Sequence, residues 1–80
     1  DLVIDRKDGI INLCEMKYTE DEFVITKAYA DKLHQKQAAL RKYIKRKKSI
    51  QMTLISANGV KRNEYFYNLI QQDFTLDILF

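Results

Sequence analysis

The chain begins Asp1-Leu2-Val3-Ile4-Asp5-Arg6-Lys7-Asp8-Gly9-Ile10-Ile11-Asn12-Leu13-Cys14-Glu15-Met16-Lys17-Tyr18, and this stretch predicts a β-hairpin. Two runs rich in β-branched and other apolar residues flank Lys7-Asp8-Gly9, which is a turn signal. A three-residue loop with its glycine in the left-handed conformation places Asp5 opposite Ile11 and, further out, Asp1 opposite Glu15. A two-residue loop would shift the register by one residue and separate the two acids.

The open end of this hairpin carries residue types that suit metal-dependent chemistry. Side chains alternate along a strand, so Lys17 shares a face with Glu15, and Asp1 lies across from them. Two facing carboxylates repel unless a cation lies between them, and hard oxygen ligands favour Mg²⁺. Such a site predicts phosphodiester hydrolysis, with the lysine holding water or stabilising developing charge. The alternative is a surface cluster of acids and a lysine without chemistry.

Several segments after the hairpin add to its pattern. They are Phe23-Val24-Ile25-Thr26-Lys27, Tyr29-Ala30, Lys32-Leu33, Thr53-Leu54-Ile55, Asn58-Gly59, Asn63-Glu64-Tyr65, Phe74-Thr75-Leu76-Asp77 and Leu79-Phe80. Together with the hairpin, these segments resemble one branch of the PD-(D/E)XK nuclease superfamily. That branch is the C-terminal, nuclease-like region of bacterial AAA-type ATP-binding proteins, and the resemblance covers nearly the whole chain.

The resemblance implies an α/β (α+β) domain with a restriction-endonuclease-like core. It assigns Asp1 and Glu15 as metal-binding and catalytic acids, Lys17 as the catalytic lysine and Mg²⁺ as the cofactor. The superfamily's opening helix and first strand would precede Asp1, and no P-loop is present. Residues 1–80 are therefore expected to form a single, N-terminally truncated domain whose upstream partner is an ATPase domain of the same polypeptide.

Composition places the chain among soluble globular proteins. Apolar residues make up 46% of the 80 residues, and no run is long enough to cross a bilayer. No charged-then-apolar leader opens the chain, so we expect a cytoplasmic protein without membrane contact. The single cysteine, Cys14, lies in an apolar strand and is expected to be a small core residue.

Charge is distributed unevenly along the chain, although the net charge is only +3. The segment 1–24 holds seven acids and three bases, whereas 27–48 holds nine bases and one acid. Such a basic segment predicts contact with nucleic acid, and it equally fits the solvated side of a helix. The candidate DNA-binding residues are Lys42, Lys45, Arg46, Lys47 and Lys48.

The remaining elements follow from periodicity and capping signals. A helix is predicted from Lys27 to about Lys45, with Thr26 as its N-cap, and Tyr29 and Tyr43 are expected to pack in the core. The segment 60–68 is ambiguous between helix and strand. A strand over 49–57, an edge strand over 68–74 and a closing helix over 76–80 complete the prediction. Both faces of the hairpin are apolar, which predicts a sheet covered on both sides.

Three functions are compatible with the sequence. The first is a Mg²⁺-dependent, nuclease-like domain that acts on or binds DNA, and the second is a catalytically degenerate nuclease fold that docks on or regulates its ATPase. The third is a structural role in which the hairpin acids pair with lysines. If the upstream segment is absent, Leu2, Ile4, Cys14 and Met16 are expected to meet water, and the chain is expected to self-associate.

Overall fold

The computed structural model of the chain describes residues 2–44 and 47–76. Within these ranges the elements, in chain order, are β1 (Leu2–Asp5), β2 (Ile10–Lys17), α1 (Lys27–Arg41), β3 (Ser49–Ser56), α2 (Glu64–Leu69) and β4 (Gln72–Thr75). The strands form one mixed sheet in the order β1-β2-β3-β4. Strand β1 is antiparallel to β2, whereas β2, β3 and β4 are parallel to one another. The chain thus forms a small α+β fold.

The hairpin has the predicted turn and register. Gly9 has a φ of 84°, a left-handed conformation that other residues rarely adopt. Asp5 faces Ile11 and Val3 faces Leu13, as the three-residue loop requires. The turn therefore fixes which residues of β1 and β2 share a face.

Helix α1 begins where predicted and ends earlier. The Thr26 hydroxyl accepts a hydrogen bond from the Tyr29 amide at 3.2 Å, which confirms the N-cap. The helix ends at Arg41 and not near Lys45, and Tyr43 is 88% exposed, so the prediction that Tyr43 packs in the core is wrong. The helix finishes in a tighter turn, since the amides of Lys42 and Tyr43 donate to the carbonyls of Ala39 and Leu40, three residues before them.

The second half of the chain differs from the prediction mainly at its ambiguous segment. Strand β3 is confirmed, and a six-residue helix, α2, follows it. Asn63 caps α2 by accepting a hydrogen bond from the Phe66 amide at 3.0 Å. The edge strand β4 begins at Gln72 because residues 68 and 69 belong to α2. Residues 77–80 of the predicted closing helix lie outside the described residues.

Both helices pack on the same face of the sheet, which we call the helix-covered face. Leu13, Met52 and Leu54 of the sheet are at most 4% exposed there. They form one apolar cluster with residues of α1, of α2 and of the segments beside the helices. The other members of that cluster are Ile25, Ala30, Leu33, Val60, Phe66, Leu69 and Ile70.

The opposite face of the sheet, which we call the open face, has exposed apolar side chains and also polar ones, which include Asn12, Gln51, Thr53 and Gln72. Leu2, Ile4, Met16 and Phe74 lie on it and are 40–48% exposed, and none of its strand residues is charged. Within residues 2–44 and 47–76 the prediction of two covered faces is therefore wrong. Cys14 on this face is 5% exposed, so it is a buried residue as predicted, and the expectation that it meets water together with Leu2, Ile4 and Met16 is wrong for Cys14.

Candidate active site

Glu15 is a carboxylate buried beneath helix α1. It lies on β2 two residues after Leu13, so both side chains point to the helix-covered face. Its partner on β3 is Leu54, and Glu15 is only 4% exposed. A buried carboxylate is costly unless a cation or hydrogen-bond donors compensate it. The position therefore requires a partner.

Lys36 of α1 supplies that partner. Its ammonium donates to the Glu15 Oε1 at 2.7 Å, and the Lys36 side chain is 40% exposed whereas that of Glu15 is 5% exposed. Sequence reasoning did not single out Lys36. The signal for it was present, because Lys36 lies three residues after Leu33 and four before Leu40, within the apolar stripe of α1. A lone lysine in such a stripe points toward a buried acid.

Lys17 lies on the same face as Glu15, as predicted, and its ammonium contacts aromatic rings. The Lys17 Nζ is 4.5 Å from the centroid of the Tyr29 ring and 5.5 Å from that of Phe23. The two rings meet edge to face, with centroids 5.2 Å apart. Cation–π contacts of this kind attract an ammonium group to the faces of aromatic rings. The two rings therefore hold the Lys17 ammonium on the face of the sheet that carries Glu15.

Two buried hydroxyls flank this cluster, and neither has a hydrogen-bond partner among the described residues. They belong to Tyr29 and to Ser56, which faces Lys17 across β2 and β3. Desolvation and then the charge of Glu15 raise the pKa of Tyr29 to about 12, and the charge of Lys36 opposes this rise. The Tyr29 hydroxyl is therefore a neutral donor near Glu15 that is available to a ligand or a water molecule.

An apolar groove opens beside the ion pair between Lys36 and Glu15. It has a volume of about 290 Å³ and lies between the hairpin and the C-terminal half of α1. Its lining is formed by Val3, Leu13, Lys36, Ala39, Leu40 and Tyr43. Since Lys36 contributes to both, the charged cluster is continuous with a surface that a ligand can reach.

The described candidate DNA-binding residues are Lys42, Lys47 and Lys48, and they follow the C-terminal end of α1. The Arg41 guanidinium donates to the carbonyl of Lys48 at 2.7 Å, and the Lys48 ammonium contacts both carboxylate oxygens of Asp5 at 2.9 Å. Lys42 and Lys47 are exposed. The other two candidate DNA-binding residues, Lys45 and Arg46, lie outside the described residues.

The structure describes only one of the two acids that are predicted to bind Mg²⁺. Asp1 lies outside the described residues, and no three His, Cys, Asp or Glu residues cluster within 2–44 and 47–76. Mg²⁺ commonly keeps several waters and binds one or two carboxylates. The predicted pair of Asp1 and Glu15 would supply that number of carboxylates. The unpartnered hydroxyl of Tyr29 adds a group that can bond a coordinated water.

In the part of the chain that the structure describes, neither helix has the length and apolar character to cross a membrane. Comparison of the chain with models of known families, with curated proteins and with solved structures gave no match.

Proposed function

We propose that this chain is a Mg²⁺-dependent, nuclease-like domain of the PD-(D/E)XK type. In this proposal it acts on or binds DNA and forms the C-terminal part of a longer AAA-type ATPase. The observation that carries the proposal is the buried carboxylate of Glu15, followed two residues later on the same strand face by Lys17. Burial makes such a carboxylate a stronger ligand, because its charge is less screened by water.

Each residue of the proposed site has a role set by its chemistry. Glu15 and Asp1 would hold Mg²⁺, which when bound supplies Lewis-acid polarisation of the scissile phosphate. Lys17, carried on the rings of Phe23 and Tyr29, would hold the attacking water or stabilise charge on the phosphate. Exclusion of bulk water by α1 strengthens these interactions.

The catalytic part of the proposal is tested by cleavage of DNA. We expect the purified chain to nick plasmid or single-stranded DNA with Mg²⁺ or Mn²⁺, and Glu15→Gln to lower the rate by about 100-fold or more. Asp31→Asn makes the same chemical change at an exposed position of α1 and should retain the rate. Equal cleavage by the wild-type chain and Glu15→Gln, or no cleavage by the wild-type chain, would contradict retained catalysis.

The DNA-binding part is tested by the salt dependence of affinity. Replacement of Lys42, Lys45 and Arg46 by Gln should lower the slope of log affinity against log salt by up to about 3. As a control, the exposed Lys7 and Lys61, which lie outside the basic segment 27–48, are replaced by Gln, and the changes in slope are compared per charge removed. If both variants change the slope equally per charge removed, the basic segment is no specific contact surface.

A second candidate function is a catalytically degenerate nuclease fold that docks on or regulates the ATPase. The open face favours it, since its strand residues are uncharged and include the exposed Leu2, Ile4 and Met16, and exposed apolar side chains grouped together commonly mark interaction surfaces. In this case Glu15→Gln would leave the function of the whole ATPase unchanged, whereas a charge placed at Met16 would disrupt it.

A further inference from the structure

The ammonium of Lys36 lies where a metal ion bound to Oε1 of Glu15 would have to lie. A metal–oxygen bond to a carboxylate is about 2.0–2.6 Å long, and the Lys36 Nζ lies 2.7 Å from Oε1 of Glu15. Two cations at such distances from one carboxylate oxygen repel each other strongly. A divalent ion therefore has to compete with Lys36 for this oxygen.

We propose that Lys36 is a positioning residue that occupies the cation position of Glu15 and moves away when a divalent cation binds there. This inference rests on the proposed function, since it takes Glu15 as a metal ligand. Before metal binds, the ammonium compensates the buried carboxylate, which would otherwise destabilise the fold.

The side chain of Lys36 is exposed enough for its ammonium to turn toward solvent when it leaves Glu15. Its side chain is 40% exposed and lines the groove beside Val3 and Tyr43. A lysine side chain is long and flexible, so its ammonium can turn toward water while its methylene groups stay against the apolar lining. In the proposed nuclease the released cation would lie at the mouth of the site, where a phosphate approaches.

The inference is tested by Mn²⁺ binding, measured from the electron paramagnetic resonance signal of the free ion. Lys36→Gln removes the competing charge, and we expect it to bind Mn²⁺ roughly tenfold more tightly than the wild-type chain. Lys32→Gln makes the same change at an exposed position of the same helix and should shift the affinity less than about twofold. Glu15→Gln should lose this binding.

A second measurement uses the wild-type chain and does not depend on how a variant folds. Acetylation of Lys36 by a limiting reagent, followed by mass spectrometry, should become several-fold faster when Mn²⁺ is added, because the ammonium leaves Glu15. Lys32 serves as the internal reference, since its exposure does not depend on Glu15.

The outcomes separate this inference from the proposed function. If the wild-type chain binds Mn²⁺ through Glu15 but Lys36→Gln binds no tighter than Lys32→Gln, and acetylation of Lys36 is unchanged, the role of Lys36 is disproved and the metal site stands. If neither the wild-type chain nor any variant binds Mn²⁺, both the metal site and the proposed nuclease function are disproved.

Discussion

The two faces of the sheet both carry large apolar side chains, but the surroundings of these side chains differ. On the helix-covered face Leu13 and Met52 are at most 4% exposed, whereas on the open face Leu2 and Met16 are nearly half exposed. The charged cluster around Glu15 lies entirely on the covered side. Strand composition therefore does not determine burial here, because the position of the two helices does. Polar chemistry is placed where helices exclude water, and the uncharged residues face outward.

The largest expected difference between the faces is in the cost of removing a side chain. Leu33 of α1 is fully buried against the covered face, and Leu33→Ala should lower the free energy of unfolding by about 3 kcal/mol. Leu2 on the open face is 48% exposed, and Leu2→Ala should cost less than about 1 kcal/mol. Urea unfolding of both variants measures the difference. Similar costs would mean that the open face is covered in solution.

Among the described residues, a lysine pairs with a carboxylate of β1 and another with a carboxylate of β2, which gives a second comparison. Glu15→Gln leaves Lys36 beside a buried amide and should cost about 2 kcal/mol, below the 3–5 kcal/mol of fully buried pairs because Lys36 is 40% exposed. Asp5→Asn removes the partner of Lys48 at an exposed position and should cost at most about 0.5 kcal/mol. Thermal unfolding at low and high salt measures both, and only the Asp5 pair should weaken appreciably with salt.

The unpartnered hydroxyl of Tyr29 is expected to lower stability slightly. Tyr29→Phe keeps the ring beneath Lys17 and removes a buried donor without a partner, so it should raise the free energy of unfolding by about 1 kcal/mol at neutral pH. Ser56→Ala is the matched change at the other unpartnered hydroxyl. A loss of stability in Tyr29→Phe would show that this hydroxyl is bonded in solution.

The same residue gives a pH dependence with a defined sign. The pKa of Tyr29 is about 12 in the folded chain, against an ordinary value of 10.0, so the folded state retains the proton that the unfolded state loses. The contribution of Tyr29 is thus complete below pH 10 and decreases as pH rises toward 12. The wild-type chain should lose stability in this window relative to Tyr29→Phe, by at most about 2 kcal/mol since the ring is partly exposed. Chemical unfolding at closely spaced pH values measures this difference.

Local signals in the sequence were sufficient to predict the hairpin and the N-cap of α1. Gly9 fixed the register through its turn, and Thr26 marked the start of α1. The end of α1 was not predictable, because the lysine-rich residues beyond Arg41 have good helix propensity and no Gly or Pro follows to mark the helix end. The sequence also did not indicate which face of the hairpin the helices cover, since both faces carry large apolar side chains.

The candidate site was predictable as a strand pattern and not as a set of contacts. Alternation along β2 placed Lys17 on the face of Glu15. The pairing of Glu15 with Lys36, 21 residues later, depends on how α1 crosses the sheet, and no local signal contains that angle. The aromatic contacts of Lys17 depend on the same packing. The pairing of Asp1 with Glu15 stays a prediction.

The smallest change in the free energy of unfolding is expected for a substitution on the open face. The same substitution tests whether copies of the chain associate through this face. Met16 and Val24 are both 46% exposed, but only Met16 lies on the open face. Met16→Lys should change the free energy of unfolding by no more than about 0.5 kcal/mol, because a long side chain at this exposure can keep its ammonium in water. If copies of the chain associate through the open face, sedimentation at high micromolar concentration should show a species heavier than a monomer for the wild-type chain and a monomer for Met16→Lys. Val24→Lys, which adds the same charge elsewhere, should sediment as the wild-type chain does, and a monomeric wild-type chain would contradict association through this face.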